Sequence, residues 1–255
     1  RKNSNQRFIV CLKYQKDMFK KLFVKRSIHI LGILTLMLVK ANGSNAQNVV
    51  SSPKTKNIME VAVIMFKGYE TLDVFGPAEI FGRLVDQYQL KFYSLEGGII
   101  SNRHGVPIMT EKLMKADIEP EILLIPGGLG TRIEVDNALL ISKIKQLSKT
   151  SDYVLTVCTG SALLAKTGLL DGKRATSNKR AFSWVTSQNS NVDWNKKARW
   201  VIDGKYYTSS GVSAGMDMAL GFLADKHGIE FARKVAKEIE YNWIEDKDND
   251  NFVAQ

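Results

Sequence analysis

Between residues 58 and 243, short runs of apolar and β-branched residues alternate with segments whose apolar positions recur three or four apart. The runs at 58–66, 90–95, 121–125 and 153–157 have strand length and near-continuous apolar character. This pattern predicts strands buried on both faces. Helical spacing predicts helices over 71–86, 137–148, 180–186, 213–226 and 229–243, and a shorter one begins at Ala162. Residues 99–109 read as a hairpin containing His104-Gly105. Residues 198–202 and 205–208 form a second hairpin around Asp203-Gly204, and Arg174-Ala-Thr176 is a short strand. Strands alternating with helices predict an α/β three-layer sandwich with a mostly parallel, flavodoxin-like sheet. Ligand sites in such sheets lie beyond the carboxyl ends of the strands.

Charge looks at first like a nucleic-acid signal, because the 255 residues carry a formal +10. Its distribution removes that reading. Residues 1–46 hold ten Lys and Arg against one acidic residue, whereas 47–255 hold 26 against 25. A nearly neutral body predicts no nucleic-acid partner. The leader reads as an export signal over 18–46. It has basic residues after Met18, a twelve-residue apolar stretch from Ile28 to Val39, and the small-x-small site Ser44-Asn-Ala46. Spanning a bilayer takes about 20 residues, so membrane contact is expected only through this segment during export. Residues 1–17 lie outside the signal pattern, 47–57 are a polar linker, and 244–255 are an acidic tail expected to be loosely held. The expectation is an exported, periplasmic or secreted protein with Cys158 as the single cysteine of the processed chain.

Candidate chemistry collects where the strands end. Cys158 closes the 153–157 strand and precedes Thr159-Gly160-Ser161, a corner that would hold a nucleophile clear of the sheet. The helix that follows would favour the thiolate through its dipole and N–H groups. A lone Cys is otherwise a small buried hydrophobe. Gly127-Gly128 follows the 121–125 strand without the Lys-Ser/Thr ending of a nucleotide loop, so it is either a turn or half of an oxyanion hole. In the second case the N–H groups of Gly128 and Thr159 would act together. Asp73 lies in the apolar frame Thr71-Leu-Asp-Val-Phe-Gly-Pro77 after the first strand. It could satisfy helix-start N–H groups, or it could be a desolvated acid trading protons with the thiol. His104 and His227 are poor candidates for a base, and no grouping has metal-ligand spacing, so neither a metal nor a cofactor is expected.

These residues give the chain a resemblance to the ThiJ/PfpI superfamily, the class I glutamine amidotransferase-like group that includes the parkinsonism-associated deglycase. It rests on Val61-Ala-Val-Ile-Met-Phe66, Thr71 to Pro77, Leu124-Ile-Pro-Gly-Gly128, Val157-Cys-Thr-Gly-Ser161, Gly168 to Thr176 and Ser209 to Asp217. Asp73 and Thr159 stand where other members place Glu and His, which looks like the isonitrile hydratase subgroup. That likeness implies roles for Asp73, Cys158 and Thr159 in hydrating an isonitrile to an N-substituted formamide. It further implies a small-molecule substrate, a substrate-binding place for Gly127, Gly128 and Asn178, and a homodimer. Many relatives have a His-Trp pair where this chain reads Asn178-Lys179, and a neutral amide cannot act as a base. Two alternatives stand: another small-carbonyl Cys hydrolase, glyoxalase or deglycase, and a non-catalytic redox or ligand sensor.

Overall fold

A computed structural model describes residues 58–114 and 117–253. The expected strands form one eight-stranded sheet. They are β1 (Met59–Ile64), β2 (Tyr88–Ser94), β3 (Gly98–Ser101), β4 (Pro107–Lys112), β5 (Ile122–Ile125), β6 (Tyr153–Val157), β9 (Trp200–Asp203) and β10 (Tyr206–Ser209). The sheet order is β3-β4-β2-β1-β5-β6-β10-β9. The six central strands run parallel, while β3 and β9 lie antiparallel at the two edges. Registers such as Val61 opposite both Leu90 and Ile122 keep the apolar runs level across the centre. Val61 to Ile64 and Ile122 to Ile125 are wholly buried, as strands covered on both faces require.

From β1 the chain winds outward through β2 to β4, then returns to β5 and winds the other way through β6 to β10. The strand order therefore reverses between β1 and β5, which is where ligands bind in open sheets of this kind. Helix α1 (Thr71–Gly82) packs on α6 (Ala214–His227), which packs on α7 (Ile229–Glu238). The short α2 (Thr131–Glu134), α3 (Ala138–Thr150), α4 (Gly160–Lys166) and α5 (Phe182–Ser187) form a second connected group of helices.

The structure departs from expectation at several ends. α1 stops at Gly82 rather than Asp86, and α7 stops at Glu238 rather than Trp243. α2 was not anticipated, since four residues are too few to show a periodicity. Arg174–Ala175 (β7) pairs outside the main sheet with Asp193–Trp194 (β8), also unanticipated. The acidic tail is held rather than loose up to its last described residues. Arg199 N donates to Lys247 O (2.8 Å), Asp250 N donates to Lys197 O (2.8 Å), and Asp250 itself is buried. The leader and linker expected over 1–57 lie outside the described residues. No helix among the described residues is long and apolar enough to cross a membrane.

Candidate active site

Asp73, Gly127 and Cys158 follow β1, β5 and β6, three adjacent parallel strands, so the topology alone delivers them to one edge. The loops are tied together by Glu70 N donating to Gly127 O (2.9 Å) and Gly127 N donating to Asp73 Oδ2 (2.9 Å). Gly127 has no alternative residue. A Cβ there would lie 2.5 Å from Thr159 N and 2.9 Å from Asp73 Oδ2.

Cys158 has φ 58°, one of two described non-glycine residues at positive φ. That conformation costs a residue with a Cβ about 1–3 kcal/mol and persists only where the surroundings over-determine it. Here they do. Cys158 N donates to Ser209 O (3.1 Å), while its carbonyl accepts from Ser177 Oγ (2.9 Å) and Ser161 Oγ (3.1 Å). Gly211 lies flat against it, since any Cβ there would be 2.4 Å from Cys158 Cβ. The strand-to-helix corner expected for a nucleophile is present and strained.

The electrostatics correct one expectation and decide another. Burial, reinforced by the Asp73 carboxylate, pushes the Cys158 thiol well above its ordinary value. The Thr159 N–H and hydroxyl point at the sulfur and act in the opposite sense, but they do not prevail. The helix-dipole argument for a resting thiolate fails because burial of the thiol outweighs it. For Asp73 the helix-start reading also fails. Glu70 is the N-cap of α1, accepting from Thr71 N (3.1 Å), whereas Asp73 is completely buried. Its Oδ1 has no hydrogen-bond partner. Burial raises the Asp73 carboxyl well above the carboxylate range, opposed by the Gly127 N–H. Asp73 is thus a desolvated acid close enough to Cys158 for each to shift the other.

The oxyanion arrangement is also different from expectation. Gly128 N donates to Thr159 Oγ1 (3.0 Å), and the Thr159 N–H is aimed at the sulfur. Neither is a vacant donor. Thr131, which the sequence did not single out, bridges the two loops. Its hydroxyl approaches both Gly128 O (2.7 Å) and Thr159 Oγ1 (3.0 Å). The Thr131 proton goes to the nearer Gly128 O, and with Gly128 N donating to it the Thr159 hydroxyl has its own proton to offer to sulfur or to Gly128 O, 3.3 Å away. Asn178 does line the pocket, with its Oδ1 accepting from Ala181 N (3.1 Å) ahead of α5. His104 sits outside the Cys158 pocket, with Nδ1 3.4 Å from Thr71 Oγ1. His227 is likewise remote, with Nε2 2.7 Å from the Tyr88 hydroxyl. No group of three or more His, Cys, Asp or Glu among the described residues could hold a metal ion.

Residues 59–225 match the sequence profile of the DJ-1/PfpI family, which spans well over half of the chain. The chain belongs to the DJ-1/PfpI family. Among the relatives of this DJ-1/PfpI chain, the isonitrile hydratase of Pseudomonas putida is 27% identical over 184 residues, 72% of this chain and 78% of the relative. A helix-turn-helix transcriptional regulator of Pseudomonas aeruginosa is 26% identical over 153 residues, covering 60% of this chain but 45% of the regulator. A solved structure of a ThiJ/PfpI family protein from Pseudomonas syringae superposes with TM-score 0.64 at 24% identity, covering 79% of this chain and 82% of that one. The family thus holds both enzymes and regulators.

One consequence of the buried acid can be measured apart from activity. A carboxyl whose folded-state pKa is raised holds its proton in the fold after the unfolded chain has lost its own. Stability therefore falls as pH rises from about 3.9 toward the folded value. Asp73→Asn removes that cost. Its melting temperature should exceed that of wild type at pH 7, and thermal scans should show the gap closing as pH falls to about 4. A mutant less stable than wild type throughout would mean that Asp73 is an ordinary ionised carboxylate.

Proposed function

We propose that this DJ-1/PfpI chain is a cysteine-dependent enzyme that hydrates a small carbon–nitrogen multiple bond, of the isonitrile hydratase type. The observation that carries this reading is the Asp73–Cys158 pair, a wholly buried acid beside a sulfur that lines the pocket, with no histidine among the pocket's lining residues. The Pseudomonas putida relative supports the same reaction class.

In the proposed reaction the sulfur bonds to the isonitrile carbon while the carboxyl proton of Asp73 passes to that same carbon. The thiol proton restores the carboxyl, leaving a thioimidate, R–N=CH–S–Cys158. Water then adds to the thioimidate carbon through the same carboxyl, with one proton going to nitrogen and hydroxyl to carbon. Collapse returns the remaining hydroxyl proton to sulfur and releases R–NH–CHO. The net change is R–NC plus water to the formamide. At no stage do two anions stand side by side, which suits a pair whose members are both pushed toward their neutral forms. Thr159 and Gly127 position sulfur and acid. Export of the chain, its action as a homodimer and the absence of a cofactor belong to the same proposal.

Incubating the protein with panels of isonitriles and small aldehydes, with products identified by NMR, tests this reading. Formamide from an isonitrile is expected. A hydroxy acid from a dicarbonyl would place the chain with the glyoxalase-like enzymes. The regulator relative favours a sensor as second reading, and saturable binding without turnover of any panel member would support it.

A further inference from the structure

The pocket above Cys158 has a volume of about 370 Å³, enough for a small molecule. Its wall is strongly biased in charge. Arg103 comes from the β3–β4 turn, Arg132 from α2 and Arg180 from the approach to α5, against one lining carboxylate, Glu70. That carboxylate is already engaged as the cap of α1. None of the three arginines is ion-paired among the described residues. Arg132 is the most constrained of them. Its Cζ lies 3.3 Å from the centre of the Trp184 ring, so the guanidinium is stacked flat on an aromatic face. Stacking fixes the plane of the fork and leaves its N–H edges for a planar oxyanion. Arg132 is also close enough to the nucleophile for its charge to be felt by a Cys158 thiolate.

We infer that the pocket selects small molecules bearing a carboxylate or similar anionic group, with Arg132, held by Trp184, as the anchor that turns the reacting carbon toward Cys158. This rests on the reading of the pocket as a substrate site and adds the charge of the substrate. Arginines on a surface usually serve only to keep it hydrated, but three from three separate elements lining one pocket over a nucleophile bias its field toward anions. A bidentate Arg–carboxylate contact would add geometry to that attraction. Arg103 and Arg180 supply field at the rim without a comparable fixed plane.

Two alkylating reagents of nearly the same size separate this from other roles, since iodoacetate is anionic and iodoacetamide neutral. Rates at Cys158 in the full chain are followed by peptide mass spectrometry at pH 9 in 1 M NaCl. A screening length of about 3 Å there suppresses distant charges. The iodoacetate-to-iodoacetamide rate ratio should exceed that of a cysteine peptide by about fivefold, fall to the peptide value in Arg132→Gln, and be partly kept in Arg132→Lys. If Arg132 merely supported the thiolate, both rates would move together and the ratio would stay put. A wild-type ratio equal to the peptide's, or one unchanged in Arg132→Gln, overturns the inference. So does failure of both reagents to reach Cys158 in the folded protein. Hydration of neutral isonitriles alongside a peptide-like ratio would leave the hydratase reading intact and remove this one. A raised ratio without isonitrile turnover would do the reverse.

Discussion

Asp73→Asn is expected to lower kcat by about 10²-fold or more on whichever isonitrile or aldehyde the protein turns over, with the fold intact. The amide keeps the shape of the side chain and an oxygen to accept from the Gly127 N–H, which lies 2.9 Å from Oδ2 in the wild type. It cannot carry a proton between sulfur and carbon. Cys158→Ala removes the nucleophile and is expected to abolish turnover. The double mutant should be no worse than Cys158→Ala alone, because members of one catalytic unit do not add. Steady-state rates of the three variants, with melting curves beside them, check this. Near-wild-type kcat in Asp73→Asn would reduce Asp73 to a structural acid and remove the main residue-level support for hydration.

Asp250→Asn is expected to destabilise the fold by about 3–5 kcal/mol, the usual cost of stripping one partner from a buried ionic cluster. In a chain of this size that is a fall in melting temperature of roughly 10 °C. The cluster joins two cations and two carboxylates. Arg199 Nη2 lies 2.5 Å from Asp217 Oδ2, Arg199 Nη1 3.5 Å from Asp250 Oδ1, and Lys179 Nζ 3.8 Å from Asp250 Oδ2. All four side chains are almost fully buried. Without Asp250, two buried cations would face a single carboxylate. The pH dependence follows from Lys179, which burial has already depressed to about 8. A depressed lysine is costly while protonated, so stability rises as pH climbs past the folded value toward about 10.4. The deficit of Asp250→Asn should narrow above about pH 8, when Lys179 sheds its charge. A uniform deficit from pH 6 to 10 would show that lost packing, not charge, is responsible.

The same cluster reaches the active site. Asp250 accepts from the Ser210 hydroxyl, and Arg199 Nη2 donates to Ser213 Oγ (3.3 Å). Between them lies Gly211, pressed against Cys158. The tail therefore braces the loop behind the nucleophile, which explains why a segment with no chemistry of its own is held by buried charge.

The central strands were legible because burial on both faces leaves an unbroken apolar run, and the strand-end rule then gathers Asp73, Gly127 and Cys158 without further information. Thr131 and the Arg132–Trp184 stack were not legible. They follow from how α2 and α5 dock, and a four-residue helix leaves no periodic trace. The held tail was missed for a related reason. Its acidic composition reads as solvated, and only the fold places Asp250 beside Arg199, 51 positions away. The direction of the Cys158 shift was not legible, because a helix start favours a thiolate where water can help and the sequence does not reveal how deeply the thiol is buried. For Asp73 the same burial turned an ambiguous carboxylate into an acid.

The central claim is that Cys158 attacks carbon with Asp73 as its proton relay, and the intermediate can be weighed. Wild-type protein mixed with the isonitrile that the panel identifies, then quenched in acid at a series of short times, is examined by intact and peptide mass spectrometry. A mass gain of one isonitrile, located on Cys158 and decaying as formamide appears, is the predicted result. Formamide released with no adduct at any time, and released equally well by Cys158→Ala, would contradict it.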